Sequence, residues 1–87
     1  MMPIIFEPQA WEDYLYWFEN DKPMLKRINR IISESAATPF EGIGKPEPLR
    51  GNLSGFWSRR IDDQHRLVYA VKDYRLHILQ CRVHYSK

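Results

Sequence analysis

The sequence predicts an α+β fold in which two N-terminal helices pack on one face of a small, mainly antiparallel twisted sheet, in the order β-α-α-β-β-β. Apolar residues recur at every third or fourth position between residues 11 and 32, which is the period of an amphipathic helix. From residue 56 onward they alternate with polar residues, as in strands, and the short links favour an antiparallel meander. With 87 residues and 44% hydrophobic content, the chain is long enough for one domain, residues 1–87, and too short for two.

The helical half begins after a short strand at residues 3–7. Pro8 suits the first turn of a helix, where its missing N–H costs no hydrogen bond. Four large apolar side chains then share one helical face: Trp11, Tyr14, Leu15 and Phe18. Residues 20–23 end this helix and offer Asp21 as the N-cap of a second helix, which we expect to reach about Ser35.

A long connection separates the helices from the last strands. Residues 38–55 hold three Pro and four Gly, so regular structure is not expected there, and ordered loops of this length are often functional. Three strands follow, over 56–61, 65–72 and 75–83, and they supply most of the sheet on which the helices pack.

Alternation along the strands predicts which side chains share a face. Leu79, Cys81 and Val83 are expected to face the helices. The opposite side of the sheet, which we call the open face, is expected to hold Gln80 and a group of basic or titratable side chains: Arg60, Arg66, Arg82 and His84. A slip of one residue in register would move every side chain to the other face.

The charge is unevenly distributed along the chain. Residues 1–44 carry a net charge of −3 and residues 45–87 one of +5, for +2 overall. A basic half of this kind indicates an anionic partner, with nucleic acid the leading candidate. Ordinary patchiness of a small protein surface explains it equally well, so charge alone leaves both interpretations open.

The cysteine content bears on the compartment. Cys81 is the one cysteine, so an intrachain disulfide is impossible, and the sequence has no Cys/His spacing typical of a metal site. A reducing compartment is the simplest interpretation. The apolar run near the N-terminus is too short for a signal peptide, and no segment is long enough to span a membrane. We therefore expect a soluble, cytoplasmic protein that does not contact a membrane.

Each candidate residue also has an ordinary structural explanation. A single arginine on a sheet is usually a solvated surface residue, and Glu47 between two prolines is usually a loop carboxylate. We interpret His65 and His77 as polar surface residues, and Tyr85 is more often a packing group than a base contact. The residues alone predict a nucleic-acid-binding α+β domain and leave catalysis open.

Five stretches of the sequence resemble one known family. They are WEDYLYW at 11–17, TPFEGIGKPEPL at 38–49, NLSGFWSRRI at 52–61, HRLVYAV at 65–71 and CRVHY at 81–85. These motifs are similar to those of the YoeB (Txe) toxins of the RelE-like superfamily, and the resemblance covers essentially the whole chain. Relatives commonly stop at or just after the His-Tyr pair, whereas Ser86-Lys87 extend this chain.

The resemblance implies a ribosome-dependent mRNA endoribonuclease that uses no metal or cofactor. Such toxins cleave the codon in the A site by attack of a ribose 2′-hydroxyl on the adjacent phosphate, which requires both a general base and a general acid. Glu47 would be the general base, His84 the general acid, and Arg66 the residue that stabilises the charged transition state. The expected RNA-binding residues are Arg50, Arg59, Arg60, Arg82 and Tyr85.

The resemblance also implies three partners. They are a YefM-type antitoxin whose acidic tail wraps the toxin, the ribosome with mRNA in its A site, and a second copy of the chain in a homodimer. Two other functions stay open at this point, because fold alone does not decide function. ParE-like toxins share the fold, act on DNA gyrase and lack the acid–base set, whereas a binding module would hold RNA or the ribosome without cutting.

Overall fold

The structure, a computed structural model, describes residues 1–83 and confirms the predicted α+β architecture. Two helices, α1 (Pro8–Asn20) and α2 (Lys22–Ala37), pack on one face of a mixed five-stranded sheet. The strands are β1 (Ile4–Phe6), β2 (Glu47–Pro48), β3 (Trp57–Arg60), β4 (Arg66–Lys72) and β5 (Arg75–Gln80). Their order across the sheet is β1-β5-β4-β3-β2, with β1 parallel to β5 and the other pairs antiparallel.

The sheet has a strand that the sequence pattern does not predict. β2 is the two-residue segment Glu47–Pro48, inside the connection that was expected to be irregular, and it forms the edge of the sheet beside β3. A pair of residues shows no alternation, so only the pairing with a distant strand defines this element. As a consequence, Glu47 belongs to the sheet and has a defined direction.

The helix boundaries follow the predicted signals. Pro8 stands in the first turn of α1, and the side chain of Asp21 accepts a hydrogen bond of 3.1 Å from the backbone N–H of Met24. Asp21 is therefore the N-cap of α2, as predicted, and α2 continues slightly past the expected end to Ala37. Within residues 1–83, no helix is long and apolar enough to cross a membrane.

The predicted apolar face of α1 is only partly buried, because Trp11 and Tyr14 pack against Phe6 of β1 while much of the face stays exposed. Asp13 is buried instead, beside Ala10 and Trp17. Its two carboxylate oxygens accept hydrogen bonds from the Gln9 side chain at 2.9 Å and the Cys81 backbone N–H at 3.0 Å, which offsets the cost of burial. The periodicity correctly predicted a helix, but three of the residues it grouped remain 39–50% exposed: Trp11, Leu15 and Phe18.

A bulge in β5 changes the predicted alternation. Val68 of β4 pairs with Gln80 and Tyr69 pairs with Ile78, so Leu79 is an extra residue with no opposite partner on β4. Leu79 is half-buried and lines a groove on the open face. The prediction that Leu79 faces the helices is therefore wrong, because the bulge places two successive side chains on the same side of the sheet.

Beyond the bulge the chain leaves the strand at Gln80, earlier than predicted. Cys81 is fully buried, as predicted, whereas Val83 is 49% exposed and its predicted core position is wrong. Burial raises the pKa of the Cys81 thiol to about 12, and the neighbouring Asp13 carboxylate adds to this shift. Cys81 is consequently an inert core thiol near neutral pH.

Candidate active site on the open face of the sheet

A row of paired residues crosses the open face and includes Glu47. Glu47 pairs with Ser58 of β3, Ser58 pairs with Val68 of β4, and Val68 pairs with Gln80 of β5. Directly opposite residues in a sheet point to the same side. Because Tyr69, next to Val68, packs in the core under the helices, the whole row lies on the open face. Sequence reasoning could not assign a direction to this carboxylate.

Two arginines form the next row on the same face. Arg60 pairs directly with Arg66, and both belong to the same alternation as the Ser58–Val68 pair. Like charges that stand opposite one another repel, so this row favours the presence of an anion. Asp63 supplies part of the compensation, since its Oδ1 lies 2.5 Å from Nη2 of Arg60. The expectation that Arg60 and Arg66 share the open face is confirmed.

Two polar atoms on the open face have no partner within the described chain. Among residues 1–83, the buried Nε of Arg66 and the buried Oγ of Ser58 make no hydrogen bond. Buried polar groups are nearly always paired, so an unpaired donor of this kind marks a place where a ligand group or water can bind. A guanidinium N–H suits an anionic oxygen such as that of a phosphate.

Arg59 is a buried structural residue, and its role as an RNA contact stays a prediction that this burial disfavours. Its side chain is 0% exposed. Nε donates to the Tyr69 hydroxyl at 3.0 Å and Nη1 donates to the Ile43 carbonyl at 3.0 Å. Nη2 donates to the carbonyls of Thr38 and Glu41. The guanidinium is enclosed by acceptors that tie the connection after α2 to the core, so it is not accessible to a phosphate.

Gly44 holds the loop that leads to Glu47 against β3. Its φ of +80° lies in the left-handed region that favours glycine. The Gly44 carbonyl accepts a hydrogen bond of 2.7 Å from the Arg60 backbone N–H, and a Cβ on Gly44 would stand only 3.0 Å from the Arg60 carbonyl oxygen. Glycine thus permits the close approach that precedes β2.

Arg50 lies in the exposed turn between β2 and β3. This turn is closed by a hydrogen bond of 2.9 Å from the Leu49 backbone N–H to the Phe56 carbonyl, and it contains a 3₁₀ turn at Gly51–Leu53. Arg50 is an exposed cation that follows Glu47 closely in the chain. Its role as an RNA contact stays a prediction.

Arg82 packs against α1. Its guanidinium carbon lies 3.5 Å from the centre of the Tyr16 ring, which is a cation–π contact, and it lines a hollow formed otherwise by α1 side chains. The predicted position of Arg82 on the open face is wrong, because β5 ends at Gln80 and the alternation of the strand does not extend further.

The last described residue, Val83, is bound to the beginning of β4. Its backbone N–H donates to Nδ1 of His65 at 2.6 Å, and its carbonyl accepts from the Arg66 backbone N–H at 3.3 Å. His65 is only 9% exposed, so its interpretation as a surface residue is wrong. His84 and Tyr85 come next in the sequence and lie outside the described residues, so their roles stay predictions.

A groove extends the open face on the side of the Glu47 row opposite the arginine pair. It has a volume of about 580 Å³, and its wall joins apolar side chains to Glu7, Gln9, one lysine and one histidine. Nδ1 of His77 lies 3.4 Å from Oε2 of Glu7 at its rim. Such a surface suits a nucleotide base, which needs an apolar contact with polar groups nearby. The other lining side chains include Phe56, Ala70, Lys72 and Leu79.

Solved structures of other proteins share this architecture. A YoeB/ParE toxin from Agrobacterium tumefaciens superposes with a TM-score of 0.94 and 45% identity, over 97% of this chain and 100% of that one. The toxin–antitoxin complex of YoeB and YefM from Staphylococcus aureus, a heterotetramer, contains a chain with a TM-score of 0.88 and 49% identity, over 98% and 99% of the two chains. A YoeB dimer from the same species matches equally well, with a TM-score of 0.88. The class of protein that these structures indicate is the toxin component of a toxin–antitoxin system.

Sequence comparison narrows this class to one family. A family model described as the YoeB-like toxin of a bacterial type II toxin–antitoxin system matches residues 6–85. A toxin YoeB from Escherichia coli O6:H1 is 61% identical over 84 residues, which are 97% of this chain and 100% of that protein. The chain belongs to the YoeB-like toxin family.

Proposed function

We propose that this toxin is an endoribonuclease that cleaves mRNA in the ribosomal A site and so stops translation. The observation that carries the proposal is the strand register, which aligns Glu47 and Arg66 in adjacent rows of one open face. A carboxylate and a guanidinium on the same face are the groups that a phosphate transfer from a ribose 2′-oxygen needs. The ribosome is the proposed source of the correctly positioned codon.

The proposed reaction begins at the ribose. Glu47 takes the proton of the 2′-hydroxyl, and the 2′-oxygen attacks the adjacent phosphorus. The bond from phosphorus to the 5′-oxygen then breaks, and His84 gives a proton to that leaving oxygen. The products are a 2′,3′-cyclic phosphate and a 5′-hydroxyl, so no water, metal or cofactor enters this step. The exposed position of Glu47 supports its role, since an RNA ribose can reach it.

Arg66 is proposed to stabilise the phosphate as its negative charge increases. A guanidinium stays charged at every physiological pH and binds two oxygens at once through its planar fork. The Nε–H of Arg66, which has no partner among residues 1–83, is a donor already withdrawn from water, so its bond to a phosphate oxygen carries little further desolvation cost. Arg60 and Arg50 supply cations near the same face, and Tyr85 is proposed to stack on an exposed base.

The experiment that tests this function compares wild-type protein with His84→Gln on a translated mRNA, with the cut sites mapped by primer extension. We expect the wild type to cut within the A-site codon and the variant not to cut. Intact mRNA combined with inhibition of gyrase supercoiling would reject the nuclease in favour of a ParE-like toxin. If both proteins bind the ribosome equally and neither cuts, the chain is a binding module.

We also propose that the partner of this toxin is a YefM-type antitoxin, which binds by an acidic segment in a basic groove. The groove has a volume of about 670 Å³ between α2 and the loop before β2. Its floor includes Ile31 and Ile43, and within residues 1–83 none of the lining side chains is acidic. The absence of an aromatic side chain on this lining favours an amphipathic acidic peptide over a stacked RNA base. Five cations surround it: Lys26, Arg27, Arg30, Lys45 and Arg60.

Reversing two of these charges is expected to weaken the complex. We expect Lys26→Glu/Arg30→Glu to raise the Kd for an acidic C-terminal peptide of a YefM-type antitoxin by roughly two- to thirtyfold, because two exposed ion pairs of about 0.2–1 kcal/mol each are lost. Titration calorimetry measures this. Lys72→Glu/Arg75→Glu is the matched control, with the same change of charge on exposed residues outside the groove. Unchanged peptide affinity with weaker ribosome binding would assign the groove to RNA.

The oligomeric state and the cellular compartment are two further proposals. We propose a homodimer, since the Staphylococcus aureus relative has been solved as a dimer and a chain of 87 residues buries a limited core on its own. We propose action in the cytoplasm, where ribosomes translate mRNA and a lone thiol such as Cys81 stays reduced.

A further inference from the structure

We propose that His65 is a positioning residue, whose imidazole holds Val83, the residue that precedes the proposed general acid in the chain. The inference rests on the proposed nuclease function, in which His84 is the general acid. His65 has no part in the proton transfers described above. Its contribution is to fix the backbone at Val83, a contact on which we expect the cleavage rate to depend.

The central contact joins a backbone donor to a side-chain acceptor. The Val83 N–H donates to Nδ1 of His65 over 2.6 Å. A histidine nitrogen accepts a hydrogen bond only when it carries no proton, so the neutral ring carries its proton on Nε2. Residues with only donors, or with no polar atom, could not replace His65 in this contact.

Both the backbone and the imidazole ring of His65 are held in place. The backbone N–H of His65 donates to Oδ1 of Asp62 at 2.7 Å, and its carbonyl accepts from the Ile61 N–H at 2.9 Å. The ring lies edge-on to the Trp17 indole, with 4.8 Å between the ring centres and an angle of 85° between the planes. His65 is therefore a fixed acceptor, which loses little entropy when it binds Val83.

Cys81, two residues before Val83, is anchored to the same part of the core. Nε1 of Trp17 donates to the Cys81 carbonyl at 2.9 Å, and the Cys81 N–H donates to Oδ2 of Asp13 at 3.0 Å. Trp17 and Asp13 are both about 5% exposed. Trp17 thus makes two contacts here. Its indole N–H binds the Cys81 carbonyl, and its ring packs against the ring of His65.

The peptide group that leads into His84 is bound on its other side by Arg66. The Val83 carbonyl belongs to this group, and it accepts from the Arg66 N–H at 3.3 Å and from the Gln80 side chain at 3.3 Å. The backbone of the proposed phosphate-binding arginine thus holds Val83 directly, together with the Gln80 side chain.

The conformation of Val83 is strained. Its φ is +56°, which is a genuine outlier for a β-branched residue. Strain of this kind persists only where surrounding contacts determine the backbone, and it clusters at functional sites. The hydrogen bonds to both backbone groups of Val83 supply such contacts. Loss of the His65 acceptor is expected to release this strain at Val83.

The test compares three substitutions of His65. Leu fills much of the volume but accepts no hydrogen bond, whereas the Oδ1 of Asn lies close to the position of Nδ1 and can accept. Gln is equally polar, but its oxygen lies one carbon further out and does not match Nδ1. We expect His65→Leu and His65→Gln to lower the single-turnover cleavage rate at saturating toxin by about 10–100-fold, because small displacements of a catalytic group cost this much. His65→Asn is expected to restore most of the rate.

Two further measurements separate positioning from folding and from RNA binding. Hydrogen exchange of the Val83 amide is expected to be at least about tenfold faster in His65→Leu than in the wild type and nearly normal in His65→Asn. The toxin concentration that gives half-saturation on ribosomes is expected to stay unchanged, since the proposed RNA contacts remain.

A cleavage rate in His65→Leu equal to that of an active wild type would overturn the positioning role. Unchanged exchange of the Val83 amide would overturn the contact itself. A reduced rate in His65→Asn as large as in His65→Leu would also count against the inference, because the acceptor would then be irrelevant. A wild type that cuts no mRNA refutes the proposed function, and with it this role, while the exchange data still report whether His65 holds Val83.

Discussion

Replacement of Glu47 by Gln is expected to lower the single-turnover rate of mRNA cleavage by about 10²–10⁴-fold, which is the usual contribution of a positioned general base. Gln has the shape of Glu but cannot take the proton of the 2′-hydroxyl. Since Glu47 is exposed and in a short edge strand, the free energy of unfolding should change by no more than about 0.5 kcal/mol. Cleavage of one A-site codon on programmed ribosomes, over a range of toxin concentrations, measures the rate and the half-saturation separately.

Glu41→Gln is the matched control. Glu41 is also an exposed glutamate of the connection between α2 and β3, but it lies outside the paired row. The Glu41→Gln variant is expected to cleave mRNA at the wild-type rate. If Glu47→Gln cleaves as fast as Glu41→Gln, then Glu47 is not the base, and another acceptor on the open face must take the proton.

Replacement of Arg59 by Met is expected to lower the free energy of unfolding by about 3–5 kcal/mol. Met keeps much of the buried volume but removes every donor of the guanidinium. The Tyr69 hydroxyl and the carbonyls of Thr38, Ile43 and Glu41 then lose a partner, and a buried group left unsatisfied costs about 1–3 kcal/mol. Some of these loop carbonyls can form hydrogen bonds with water instead, which keeps the total loss of stability below the sum of the individual costs. Urea unfolding followed by tryptophan fluorescence measures the change.

The neighbouring arginine provides the control for this substitution. Arg60 is exposed and its ion pair with Asp63 is at the surface, so Arg60→Met should cost about 1 kcal/mol or less. For RNA binding we expect the opposite order. Arg60→Met is the variant expected to weaken it, because only Arg60 is available to a phosphate. Equal stability of the two variants would show that the Arg59 guanidinium does not hold the loop, and would reopen its role as an RNA contact.

Much of the fold follows from local patterns. The helical period, Pro8 and the Asp21 cap define α1 and α2, because these signals act within one turn of helix. The dipeptide Asp73-Tyr74 forms the predicted tight turn although it lacks glycine, with φ values of 54° and 58°. That turn sets the register between β4 and β5 at their closed end, and alternation then assigns Arg66 to the open face.

The candidate site could be predicted only in part. Arg60 and Arg66 follow from alternation on single strands. Glu47 does not, because a two-residue edge strand acquires its direction from Ser58 on β3. His65 was missed because its value lies in a contact with Val83, which is distant in the chain and joined to it by no sequence signal.

Short-range chemistry thus determined where the helices, turns and main strands begin, since propensity, capping and side-chain period act over a few residues. Long-range packing decided which side of each element became buried. It turned Asp13 and Trp17 of α1 to the sheet, enclosed Arg59 among loop carbonyls, and inserted Leu79 as a bulge. These outcomes depend on groups that meet only after the chain has folded, and the free energy of burial and hydrogen bonding among them outweighs the periodicity of any one segment.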